Sequence, residues 1–187
     1  GTMVGAMAYA SIDSVAPIYM VDRLDGTTLQ TSLVFFIISV SYGLGAPLFG
    51  ALAAHTGAGL LLSLLGALAL AALLPALLSA PTLTHMRLLA AGFGAAGTAQ
   101  LTPLSSLLEQ AVAGTEMAKS PVLLYALFNC AYVLGMALGP GLSAELVDTL
   151  GFRGSAMAIG GATAALSVAA AAGLARCGVP AGLPDCR

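Results

Sequence analysis

Tyr125-Ala-Leu-Phe-Asn129-Cys-Ala-Tyr132-Val-Leu-Gly135-Met136-Ala-Leu-Gly139-Pro140 is apolar enough to sit in a lipid bilayer, yet it is not uniformly apolar. At helical spacing Tyr125, Asn129, Tyr132 and Met136 fall at i, i+4, i+7 and i+11, a single face. A lipid-facing surface gains nothing from an amide and two phenols, so this face is expected to turn toward a bundle interior or a water-filled cavity. Gly135 and Gly139 form a small-xxx-small step for close helix packing, and Pro140 directly after them predicts a bend.

The composition places the rest of the chain in the same environment. Of 187 residues, 59% are hydrophobic and only 7% charged, with a mean hydropathy of +0.98, against about 25% charged residues in soluble domains. The balance excludes an ordinary soluble domain. The net charge of -2 carries no basic run, so nothing points to a nucleic-acid partner. The start, Gly1-Thr-Met, has no basic region or cleavage site of a signal peptide and reads as a chain beginning at a membrane helix. Cys130, Cys177 and Cys186 have no metal-binding or redox spacing; Cys130 reads as a small apolar residue, while Cys177 and Cys186 lie together in the tail and could pair.

Charged residues punctuate the sequence at about the 20-residue interval that a spanning helix needs. The expected fold is all-α and polytopic, with six spans at about 2–21, 31–54, 60–79, 86–108, 122–146 and 155–175, followed by an irregular tail, 177–187. The second span, free of charge, carries Tyr42-Gly43-Leu-Gly45-Ala-Pro47, another glycine and proline kink signal. The third, nearly all Leu and Ala, and the sixth, rich in Ala and Gly, lack a polar face and are expected at the lipid-facing periphery. In the fourth, Thr98, Thr102, Ser105 and Glu109 make a second polar stripe, with Gly92, Gly94 and Gly97 just before it. The segment from Glu109 to Ser120 reads as the longest loop, and His55 and His85 as residues of turns. Lys and Arg divide evenly, Lys119, Arg176 and Arg187 against Arg23, Arg87 and Arg153, so charge alone assigns no orientation.

Asp13 is the sharpest chemical signal. A carboxylate inside an apolar span costs on the order of 3 kcal/mol on insertion scales and is tolerated chiefly when it faces a polar interior. Tyr9, Pro17 and Met20 share its face. Such an acid suits alternate binding of a proton or a cation; the competing reading makes it a hydrogen-bonding strut or an interfacial residue. Asn129 is equally suited to helix association, Glu109 to an interfacial position, and Thr98, Thr102 and Ser105 to bonding back onto their own helix carbonyls. There is no H-E-x-x-H, no G-x-S-x-G and no phosphate-binding glycine loop, so no enzyme, cofactor or metal site is expected.

The chain resembles the C-terminal six-helix half of a major facilitator superfamily transporter, and in particular the drug:proton antiporters similar to vesicular amine transporters. Leu124 to Pro140 looks like that family's eleventh helix, and Asp13-Ser-Val-Ala-Pro17-Ile-Tyr-Met20 is similar to its seventh. Gly50-Ala-Leu-Ala-Ala-His55-Thr-Gly57 looks like a decayed copy of its cytoplasmic loop motif, which would place both termini in the cytoplasm. Asn129 stands where the family motif has an aspartate, no acid lies near Pro103, and Ala54, His55, Ala58 and Gly59 depart from the loop motif.

The resemblance implies proton-coupled export or antiport of small organic, cationic or amphiphilic compounds by alternating access. Asp13 would then couple or bind, with Tyr125, Asn129, Tyr132, Thr102 and Glu109 around the path. The implied partners are the substrate, protons, the bilayer, and a missing N-terminal six-helix half or a second copy. The chain would be a fragment, a truncated gene product or a half-size protein in a plasma, vesicular or vacuolar membrane. The alternatives are a facilitator of a neutral solute and a non-transporting membrane scaffold or remnant.

Overall fold

The computed structural model describes residues 2–112 and 114–176. The tail and Cys177 and Cys186 lie outside the described residues, and with them their pairing. Among the described residues the chain is all helical, in the order α1 (Thr2–Leu24), α2 (Thr28–Thr56), α3 (Gly59–Leu77), α4 (Leu83–Ala111), a 3-10 turn (Glu116–Lys119) and α5 (Pro121–Arg176). Helices α1, α2, α3 and the α5 stretch are long and apolar enough to cross a membrane.

The turns follow from local chemistry. Thr27 caps α2 in a capping box, its side chain accepting from the Gln30 amide while the Gln30 side chain accepts from the Thr27 amide at 2.8 Å. At the far end Gly57 takes the left-handed conformation (φ 65°) and returns its N–H to the Ala53 carbonyl. Helix boundaries run two to three residues beyond several expected spans, which brings His55 into the last turn of α2 and His85 into the first turn of α4, where His85 Nδ1 lies 2.7 Å from Thr82 Oγ1. Glu109 likewise lies in the last turn of α4 and not in a loop.

The α5 stretch is divided at Gly151, whose φ of 72° and ψ of 174° belong to no α-helix. Leu142 and Leu166 line one groove although a straight helix would separate them by about 36 Å, so the chain folds back on itself at this glycine. The expected turn at 151–154 is therefore present, reduced to a single residue. Pro140 sits inside continuous helix.

The first arm of α5, residues 121–150, runs parallel to α1. A Cβ at Gly135 would strike the Met3 carbonyl and come 2.8 Å from Ala6 Cβ; one at Gly139 would lie 2.7 Å from the Met7 carbonyl. One step further, Ser14 and Ser143 join their hydroxyls at 2.9 Å. The predicted small-xxx-small step is thus the seam on which α1 is seated, as expected where lipid removes the hydrophobic drive and close packing must hold helices together.

Helix α4 lies between α2 and α3. It is 29 residues long, yet the span expected at 86–108 is not among the helices apolar enough to cross a membrane: Thr98 and Gln100 are fully buried in the bundle, whereas Thr84, His85, Ser106, Glu109 and Gln110 toward its two ends are exposed. Gly66 of α3 brings its backbone against that of Ala96, Ala99 and Gln100, and Ser63 donates to the Gln100 carbonyl at 3.0 Å. One face of α3 is thereby buried, while Leu61, Leu65 and Leu68 remain outward as expected of a peripheral helix. The core gathers Ile12, Met20, Leu70, Leu74, Met86 and Phe93. The buried Tyr19 hydroxyl donates to the Ala80 carbonyl at 3.0 Å, and its ring meets Phe152 edge-on, tying α1 to the second arm of α5.

Candidate functional site

A cavity of about 250 Å³ opens between α1, α2, α4 and the first arm of α5. Its polar lining is Tyr9 and Asp13 from α1, Ser39 and Tyr42 from α2, and Tyr132 from α5. Tyr9 and Asp13 are one helical turn apart, as are the apolar liners Phe35 and Ile38, with Tyr42 one turn beyond, so both helices present a regular stripe. Met136 and Leu101 complete the wall.

The aromatic side is rigid. The Tyr9 ring packs edge-on to Tyr42, with centroids 5.8 Å apart, and tilts against Phe93 at 4.9 Å. Its hydroxyl reaches the Phe93 and Gly94 carbonyls only at 3.4 Å, so packing and not hydrogen bonding holds it. Directly behind the ring stands Gly97, where any Cβ would overlap Tyr9. Asp13 makes no hydrogen bond or ion pair among the described residues, so the strut reading finds no partner there. The cavity thus presents one uncommitted carboxylate beside three phenolic rings. A carboxylate attracts a cation, and electron-rich ring faces add attraction within about 6 Å of their centroids.

The remaining expected site residues are divided among other places. The face Tyr125, Asn129, Tyr132, Met136 is split: only Tyr132 and Met136 line the Asp13 cavity, while Tyr125 and Asn129 lie outside it and, like Asp13 itself, are exposed in this chain. The reason is the register of α5 on α1: Gly135 already meets Met3 and Ala6 near the start of α1, so Tyr125 lies farther out, where its hydroxyl donates to a Glu109 carboxylate oxygen at 3.0 Å. Thr102 lines a separate cavity of about 320 Å³ with Ser105, Ser106 and Gln110. The stripe on α4 bonds to itself: the Thr98 and Thr102 hydroxyls are 3.1 Å apart, and Ser105 donates to the Thr102 carbonyl at 3.1 Å. Gly45 packs against Thr98, a close approach that serves helix contact.

Ser39 and Gln100 did not stand out in the sequence, and Tyr42 stood out only as the start of a kink motif and not as a site residue. For Tyr42 the signal was present in the spacing Phe35, Ile38, Tyr42, but α2 carries no charge to draw attention to that face. Among the described residues no group of three or more His, Cys, Asp or Glu is placed to hold a metal ion. No protein-family model matches the chain, and no curated protein matches it in sequence.

Proposed function

We propose that the chain is one six-span half of a transporter of the major facilitator type, and that it carries small organic cations in exchange for protons. The observation that supports this reading is Asp13, a carboxylate that lines an open aromatic cavity on the flank of an otherwise apolar helical bundle, exposed in this chain and without a hydrogen bond or ion pair among the described residues. An acid in that setting has two competing ligands, a proton and an organic cation, and their mutual exclusion is the elementary step of antiport. Tyr9, Tyr42 and Tyr132 form the wall against which a cation rests. Superfamily transporters bind near the bilayer midplane between two halves that rock about the site. The missing half, or a second copy, would close the cavity from the other side. Tyr125, Asn129 and Glu109 then belong to the rim of the path and not to its centre.

The test is accumulation of a fluorescent organic cation by native membrane vesicles under an imposed pH gradient. The unaltered protein is expected to accumulate the cation, and Asp13→Asn to abolish gradient-driven accumulation while remaining in the membrane at the same level. Equal accumulation by the two proteins would refute proton coupling through Asp13 and favour a neutral-solute facilitator. No accumulation by either, across a panel of cations, would favour a non-transporting scaffold.

A further inference from the structure

A second cavity, of about 400 Å³, lies in a groove bounded by α1 and both arms of α5, and it shares no lining residue with the Asp13 cavity. Its volume falls in the range of about 300–1,000 Å³ that holds small organic molecules. Met7, Leu142, Leu146, Ile159 and Leu166 make it apolar, with Ala158 and Ala162 leaving the space that larger side chains would fill. Of its three polar side chains two are committed: Ser11 donates to the Met7 carbonyl at 2.7 Å and Thr163 to the Ile159 carbonyl at 2.8 Å. Glu145 is the third, and it has no hydrogen bond or ion pair among the described residues.

The groove has a direction. Glu145 lies near the end of its arm, with Asp148, Thr149 and Arg153 around the Gly151 reversal, a polar cluster that suits the level of lipid headgroups. From there the apolar lining runs away from the reversal over Ala158 to Leu166, about 12 Å, toward the interior of the span. Exposed Glu145, an anionic group at the end of an acyl-sized apolar slot nearest the polar reversal, has no basic side chain paired to it among the described residues and complements an amphiphile that has a hydrogen-bonding cation at its polar end.

We infer that this groove is a binding site for a membrane phospholipid with a primary-ammonium headgroup, the ammonium on Glu145 and an acyl chain along Ala158, Ala162 and Leu166. A primary ammonium donates hydrogen bonds to a carboxylate, whereas a trimethylammonium cannot, and a glycerol headgroup leaves the phosphate charge facing Glu145. The site is independent of the transport reading.

The test is native mass spectrometry of the full chain in micelles holding equal amounts of phosphatidylethanolamine, phosphatidylcholine and phosphatidylglycerol. The expected result is retention of phosphatidylethanolamine about tenfold over the other two, as one charge-assisted hydrogen bond implies. Glu145→Gln is expected to erase the preference while lipid is still retained. Ala162→Leu, which fills the slot, is expected to lose retention of all three, with helicity by circular dichroism unchanged in both variants. Equal retention of the three lipids by the unaltered protein, an undiminished preference in Glu145→Gln, or unchanged retention in Ala162→Leu would each overturn the assignment.

Discussion

Gly135→Leu is expected to remove about 3 kcal/mol of stability, at the upper end of what overpacking costs, because the new side chain meets the Met3 carbonyl and Ala6 and has no flexible neighbour to displace. The obstacle is backbone on a helix held by the same seam at Gly139, so relief requires α1 to move as a body. Gly141→Leu, two residues beyond that second glycine on the same arm, introduces the same side chain into open space and is expected to change stability by less than about 0.5 kcal/mol. Thermal unfolding in detergent, followed by circular dichroism, separates the two. Similar melting of both variants would show that α1 is not seated on this seam.

The second large effect is at Gly97, whose nearest neighbours are atoms of the Tyr9 side chain. A Cβ there overlaps the Tyr9 ring and hydroxyl, so Gly97→Val must push the ring out of its place between Phe93 and Tyr42. The displaced ring enters the space beside Asp13, and organic-cation affinity is expected to fall about tenfold, roughly 1.4 kcal/mol. Gly92→Ala on the same helix places its methyl 3.5 Å from Leu73, ordinary contact, and is expected to leave affinity unchanged. Titration of a fluorescent cation onto the purified full chain reads both. Unaltered affinity in Gly97→Val would mean that the Tyr9 wall plays no part in binding.

Much of this architecture could be read from the residues, because bilayer physics leaves few choices. Helices are the expected solution for a chain with 59% hydrophobic residues, and their positions followed from the interval between charges to within a few residues. The Gly135 and Gly139 seam was legible as a spacing, although its partner helix was not, since nothing local names α1. The reading of α4 shows the limit of periodicity. Its polar stripe suggested a cavity wall or bonding back onto its own helix, and spacing could not choose: Thr102 and Ser105 line the cavity of about 320 Å³ while their hydroxyls bond within α4, and fully buried Gln100 gave no periodic signal at all. Asp13 was conspicuous by cost alone. That Tyr132 would join it and Tyr125 and Asn129 would not depends on the register at which α5 is seated on α1, with Gly135 at Met3 and Ala6, a tertiary quantity that a four-residue spacing does not contain.

The central claim is that one carboxylate, Asp13, exchanges a proton for an organic cation. Proton release on cation binding, measured with a pH indicator in weakly buffered detergent solution of the purified full chain, tests it without requiring transport. The account predicts that the unaltered protein releases protons in step with occupancy and that Asp13→Asn releases none. Binding without proton release, or the same release from Asp13→Asn, would contradict it.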